Sequence, residues 1–129
     1  ASNYAGDDNL VACGELGAAV RLGEFAEQLE ARLQRRPVLI GNMDKMVKKV
    51  AWCTGAAQGY IDTAASMGAD VFISGEISEQ TTHQSLELGV AYISAGHHAT
   101  ERYGIQALGR HLAERFDLQH EFIDINNPV

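Results

Sequence analysis

The chain is poor in the residues that most often announce a chemistry. Its two cysteines, Cys13 and Cys53, are far apart and each has apolar neighbours. A disulfide framework is therefore not expected, and reduced, buried thiols are. Basic residues are also scarce, with 10 Lys and Arg against 17 Asp and Glu and a net charge of -7. General nucleic-acid binding needs clustered positive charge and is not expected; the local trio Lys45, Lys48 and Lys49 reads as solvated surface. No apolar run is long enough to span a bilayer, and no membrane association is expected. The start, Ala1 to Asp8, has neither the basic end nor the apolar stretch of a signal peptide, so a cytoplasmic protein is expected. Solenoid repeats and low-complexity tracts are absent too.

What remains is the composition of an ordinary globular domain. At 129 residues, 46% apolar and 21% charged, the chain has enough material for one core and not comfortably for two. A single domain over residues 1–129 is expected, with polar residues 1–9 as a flexible start that looks cut from something longer.

Apolar spacing and glycine punctuation divide the chain into alternating strands and helices. Val11 to Arg21 reads as a strand, and Gly23 to Arg35 as a helix, with Phe25, Leu29 and Leu33 on one face, stopped by Pro37. Val38–Ile40 is a short apolar run, followed by a turn at Gly41–Asp44. Further strands are expected at Val47–Thr54, Val71–Ser74, Val90–Ser94 and Glu121–Ile125. Helices are expected around Tyr60–Met67, over Glu79–Leu88 and over His97–Phe116. Strand, helix and strand in succession imply right-handed crossovers. The expected fold is α/β, a mainly parallel sheet with flanking helices.

Three of these strands end in small residues and glycine ahead of a helix: Cys53-Thr54-Gly55, Ser74-Gly75-Glu76 and Ala95-Gly96-His97. Parallel pairing would gather these ends on one rim, where ligands of open α/β sheets bind. Glu76, His97 and Glu101 should then share it. His97 and Glu101 are four residues apart on a helix and therefore on one face. Continued forward, that face reads Ile105, Leu108, Leu112 and Phe116, a core stripe whose first two positions are metal-ligand side chains. A carboxylate and an imidazole there are costly unless paired or bound to a cation. Two readings stay open: a metal site, or a helix-dipole carboxylate beside a locally hydrogen-bonded histidine. His98 points about a third of a turn away, to the surface or to a supporting position.

Other candidates have plainer alternatives. Glu79 and His83 repeat the four-residue pairing on the shorter helix, where a solvent-exposed pair is the simpler account. Glu76 suits either a general base or a carboxylate at a helix start. Thr54–Gly59 lacks both the Gly-Lys-Ser/Thr ending of a phosphate loop and the Gly-x-Gly-x-x-Gly fingerprint; ordinary turn chemistry is the simpler account, and a tight loop holding one anion stays open. Trp52 and Tyr92 fall inside strands and read as core. Ser74 and Ser78 lack a nucleophile elbow, which leaves covalent catalysis unsupported.

The runs Val50-Ala51-Trp52-Cys53-Thr54-Gly55, Gly75-Glu76-Ile77-Ser78-Glu79-Gln80 with His83, Gly96-His97-His98-Ala99-Thr100-Glu101-Arg102 and Phe122-Ile123-Asp124-Ile125 together resemble one family. It is the Nif-three-like family of dinuclear-metal-centre hexameric proteins, also labelled GTP cyclohydrolase I type 2 homologues. The resemblance covers nearly the whole chain and corresponds to the carboxy-terminal half of such a protein. It implies one half of a Nif-three-like fold. It also implies that His97 and Glu101 are two ligands of a site for two divalent metal ions per full-length subunit, with Glu101 bridging. Zinc, manganese, iron and magnesium all suit such ligands. The family's remaining ligands, a histidine pair and an aspartate, have no counterpart here. Where Glu76 and Gln80 stand, members often carry aspartate and histidine; His83 matches.

By the same resemblance, Glu76 and His83 are candidate catalytic residues that shuttle protons, while paired cations roughly 3.5 to 4 Å apart activate water for hydrolysis. The family label suggests purine ring opening, hence a nucleotide or pterin-like substrate, and a toroidal homo-oligomer, a hexamer. A chain carrying half of the site is expected to be inactive alone. The competing expectation is a non-catalytic binding or assembly module.

Overall fold

The computed structural model describes residues 3–6 and 9–129. Its elements are strand β1 (Asn3–Ala5), strand β2 (Val11–Arg21), helix α1 (Leu22–Leu33), strand β3 (Val38–Ile40), strand β4 (Met46–Trp52), helix α2 (Ile61–Ser66), strand β5 (Val71–Ser74), helix α3 (Glu79–Leu88), strand β6 (Ala91–Ser94) and helix α4 (His97–Phe116). A 3-10 turn, Gln58–Tyr60, leads into α2. Residues 1, 2, 7 and 8 lie outside the described residues. Of the flexible start expected over residues 1–9, Asn3–Ala5 is instead an edge strand paired with β2.

The α/β expectation holds, and the sheet is mixed. Its strand order is β1-β2-β4-β5-β6-β3. Parallel pairing holds for β4, β5 and β6 at the centre. The flanks β1, β2 and β3 run antiparallel to their neighbours. A βαβ crossover forces the parallel centre, whereas nothing in the local pattern of β2 or β3 encodes the direction of a partner distant in sequence.

Period-two alternation in the central strands builds two cores. Val50, Val71 and Ala91 are register partners, and they pack with Leu22, Phe25 and Ala26 of α1 on one face. One residue on, Ala51, Phe72 and Tyr92 pair across the same strands and pack with Ile61 and Ala64 of α2 on the other. Phe72 and Tyr92 are fully buried and meet edge to face at 5.7 Å. Burial of such a side chain contributes about 1.5–3 kcal/mol. Both sheet faces are therefore closed, and the open end of the parallel strands is left for a site.

Two expectations fail at the carboxy end. Ala99 is the buried residue of α4, while Ile105, Leu108, Leu112 and Phe116 are exposed by 39% to 63%. The stripe is apolar as read, yet it is no part of this chain's core. Residues 121–125 form no strand. Asp124 instead lies against α4, where it accepts from Arg102 at 3.0 Å and contacts His98 Nε2 at 2.9 Å, while Ile123 and Ile125 are exposed. The cysteines are free, with Cys13 buried as expected and Cys53 only partly so. Among the described residues no helix is long and apolar enough to cross a membrane.

Candidate metal centre

The three strand ends do meet on one rim, and backbone hydrogen bonds continue past the strands to fix them. The Gly75 amide donates to the Gly55 carbonyl at 2.9 Å, and the Gly96 amide donates to Gly75 at 2.9 Å. Beneath them the buried Ser74 and Ser94 hydroxyls donate to the same Gly55 and Gly75 carbonyls, each at 3.1 Å. The glycines are required by space. A Cβ on Gly75 would lie 2.7 Å from the Gly55 oxygen and 2.8 Å from the His97 Cα, and one on Gly55, whose φ is +68°, would strike the Glu101 carboxylate.

This close approach seats the first turn of α4. Thr100 Oγ1 accepts from the Gly55 amide at 3.1 Å and donates back to the Gly96 carbonyl at 2.9 Å. Thr100 thereby ties the helix start to the end of β4, so that His97 and Glu101, on either side of it in sequence, overhang the rim. Nothing in the apolar pattern distinguished Thr100; its place in the third position after His97, where a hydroxyl reaches back one turn, was the available signal.

The His97 ring lies between two carboxylates. Its Nδ1 is 2.6 Å from Glu76 Oε1, and its Nε2 is 3.2 Å from Glu101 Oε2. The hydrogen bond to Glu76, aided by the negative charge of Glu101 and Glu76, raises the His97 pKa above the ordinary 6.5 against an opposing effect of desolvation. Glu76 itself is placed by the core: the Tyr92 hydroxyl donates to its backbone carbonyl at 2.6 Å. Burial pushes that hydroxyl's pKa up to about 12, which keeps it a donor. Tyr92 is core, as its strand position suggested, with a polar tip that reaches the site.

His97 and Glu101 line a cavity of about 340 Å³ together with His98, Asn127 and Val129. The structure thus brings together Glu76, His97 and Glu101. His83 is not with them; it is exposed on α3, outside the residues lining that cavity. Glu79 and Gln80 are likewise exposed in the first turn of α3. Glu76 is no helix-start carboxylate, because α3 begins at Glu79 and is capped by Ser78 and Thr81. His98 turns away toward Asp124, whose own pKa is lowered chiefly by that hydrogen bond.

A donor set of one imidazole nitrogen and one carboxylate suits a divalent cation and covers part of its shell. Among the described residues no group of three or more His, Cys, Asp or Glu side chains converges so as to hold an ion. In the turn after β4 the Ala57 N–H is already shared by Gly55 O at 3.0 Å and Ser74 Oγ at 3.2 Å, and the Gly55 N–H is taken by Thr100 Oγ1, so neither of these two amides is free for an anion. Lys45 is tied to the Asp70 and Gly89 carbonyls and Lys48 faces Glu15 at 3.5 Å, which leaves no concentrated basic patch there.

Known proteins share both sequence and fold with this chain. A protein named GTP cyclohydrolase 1 type 2 homolog from Allochromatium vinosum is 54% identical over 95% of the chain and 48% of its own length. A protein of the same name from Neisseria meningitidis is 50% identical over 96% of the chain and 50% of its length. The solved structure of protein ybgI, described as of unknown function, superposes with a TM-score of 0.89 at 51% identity, covering 94% of this chain and 49% of that one. The chain spans about half the length of the curated relatives it matches. The family model for Duf34/NIF3 (NGG1p interacting factor 3) matches residues 4–128, and the chain belongs to that family.

Proposed function

We propose that this chain carries half of a divalent metal centre of a metal-dependent hydrolase. The observation that supports this reading is the shared outlook of His97 Nε2 and Glu101 Oε2, 3.2 Å apart at the mouth of one cavity. His97 would give one nitrogen donor and Glu101 a carboxylate able to span two ions. Bound metal would supply Lewis acidity toward a bond to be hydrolysed. The chain's own residues hold that geometry: Thr100 fixes the helix start, and Gly55 leaves room for the Glu101 carboxylate.

The name of the relatives motivates the reaction class, ring opening of a purine nucleotide such as GTP, for the complete protein. With two donors, this chain alone is assigned no turnover. The test is GTP consumption by a complete protein containing this chain, together with its metal content. Loss of both in His97→Ala supports the reading. Consumption that persists in His97→Ala contradicts it.

A second reading, an assembly module of a homo-oligomer, is favoured by the exposed stripe Ile105, Leu108, Leu112 and Phe116. Apolar surface of this kind commonly marks an interaction site. Sedimentation of the chain should reveal association that Leu108→Ser with Leu112→Ser abolishes; a strictly monomeric wild-type chain would count against self-assembly through this face.

A further inference from the structure

A neutral imidazole has one N–H, and the nitrogen that carries it cannot ligate a metal. His97 has a carboxylate at each nitrogen, so the two compete for that proton. Glu76 holds the advantage on three grounds. Its oxygen is nearer, at 2.6 Å against 3.2 Å. Its side chain is less exposed than that of Glu101, 35% against 53%, and so less engaged by water. Its backbone is anchored through the Tyr92 hydroxyl to the buried core, whereas Glu101 reaches His97 from the next turn of the same helix.

We infer that Glu76 is a positioning residue: it holds the His97 proton on Nδ1 and leaves the Nε2 lone pair facing Glu101 and the cavity. The inference deepens the metal reading and rests on it for what the free nitrogen is used for. It gives Glu76 a use that the general-base reading of its position did not include, since Oε1 is engaged with the ring. The arrangement has the logic of carboxylate–histidine–metal triads, in which the outer partner fixes tautomer and ring orientation. It also links the core to the rim through Tyr92, Glu76, His97 and Glu101, residues drawn from β6, the β5–α3 loop and α4.

The test is long-range proton–nitrogen NMR of the ¹⁵N-labelled, metal-free 129-residue chain at alkaline pH, where the ring is neutral. The proton should sit on Nδ1 in the wild type and move to Nε2, toward Glu101, in Glu76→Ala. Glu76→Gln, which keeps the size of the side chain, should also weaken the Nδ1 preference, and an unchanged backbone amide spectrum in either variant confirms that the fold is intact. Zinc affinity should fall about 10- to 100-fold in Glu76→Ala, the usual cost of losing such a partner. A wild-type ring protonated on Nε2, or one whose tautomer ignores both substitutions, overturns the inference. So does zinc binding that is lost in His97→Ala but untouched in Glu76→Ala, an outcome that leaves the metal reading standing. Zinc binding equal in wild type and His97→Ala contradicts the metal reading, while the tautomer still decides the role of Glu76.

Discussion

Helix α4 is two regions in one element. Its first turn is locked: Thr100 is bonded to Gly55 and Gly96, His97 lies between two carboxylates, and Ala99 is buried. Its later turns present Ile105, Leu108, Leu112 and Phe116 to solvent, along the same face that began with His97 and Glu101. One periodic stripe therefore serves two ends. Where the stripe meets the sheet rim it carries donors, and where it leaves the sheet it offers apolar surface. The contrast teaches that a helical apolar face reports what a helix was built to cover, and covering can be left to something outside the chain.

Substitutions that attack the two regions should separate them. The largest effect is expected at the rim. Gly75→Val places atoms against the Gly55 carbonyl and the His97 backbone, backbone that cannot swing aside, and overpacking of this kind costs about 1–3 kcal/mol or more. Urea denaturation should show it as a lowered midpoint. Acidification acts next, and only at the first turn. Because Glu76 raises the His97 pKa, the proton competes with a cation from a higher pH than it would at an ordinary histidine. Zinc affinity should therefore fall as pH drops through that raised value, by about tenfold per unit below it. Titrations at several pH values check the slope, and a flat profile would show that His97 is not a ligand.

Tyr92→Phe should cost less, about 1 kcal/mol, because it removes the hydroxyl that the Glu76 carbonyl accepts and leaves the ring packing intact. Its signature is that Glu76 is loosened, so the His97 tautomer should respond although Tyr92 touches neither the ring nor Glu101. The smallest change in stability is expected on the outer turns. At concentrations where the chain is monomeric, Leu108→Ser with Leu112→Ser should alter the unfolding free energy by no more than about 0.5 kcal/mol per site, since both side chains are exposed. A much larger loss would mean that the outer turns are held as tightly as the first, and the comparison would fail.

Much of this organisation is legible in the sequence where punctuation is local. The end of α3 follows from Gly89, the start of α4 from Gly96, and β5 from the apolar run before Gly75. The convergence of Glu76, His97 and Glu101 follows from the parallel centre of the sheet, which the βαβ rhythm encodes. What escapes is what depends on distant partners. The antiparallel flanks need β2 against β4 and β3 against β6, pairings that no window of residues contains. The extended look of Glu121–Ile125 finds no strand partner among the described residues, where Asp124 pairs with Arg102 of α4. Tyr92 shows the limit most plainly, since its strand pattern reveals that it is buried but not that its hydroxyl ends at Glu76.

The central claim is that His97 and Glu101 form a metal half-site within this chain. Isothermal titration of zinc into the metal-free 129-residue chain, beside His97→Ala and Glu101→Ala, tests it most directly. A saturable zinc site is expected in the wild type, and its loss in both substitutions. The same zinc isotherm in all three proteins would contradict it.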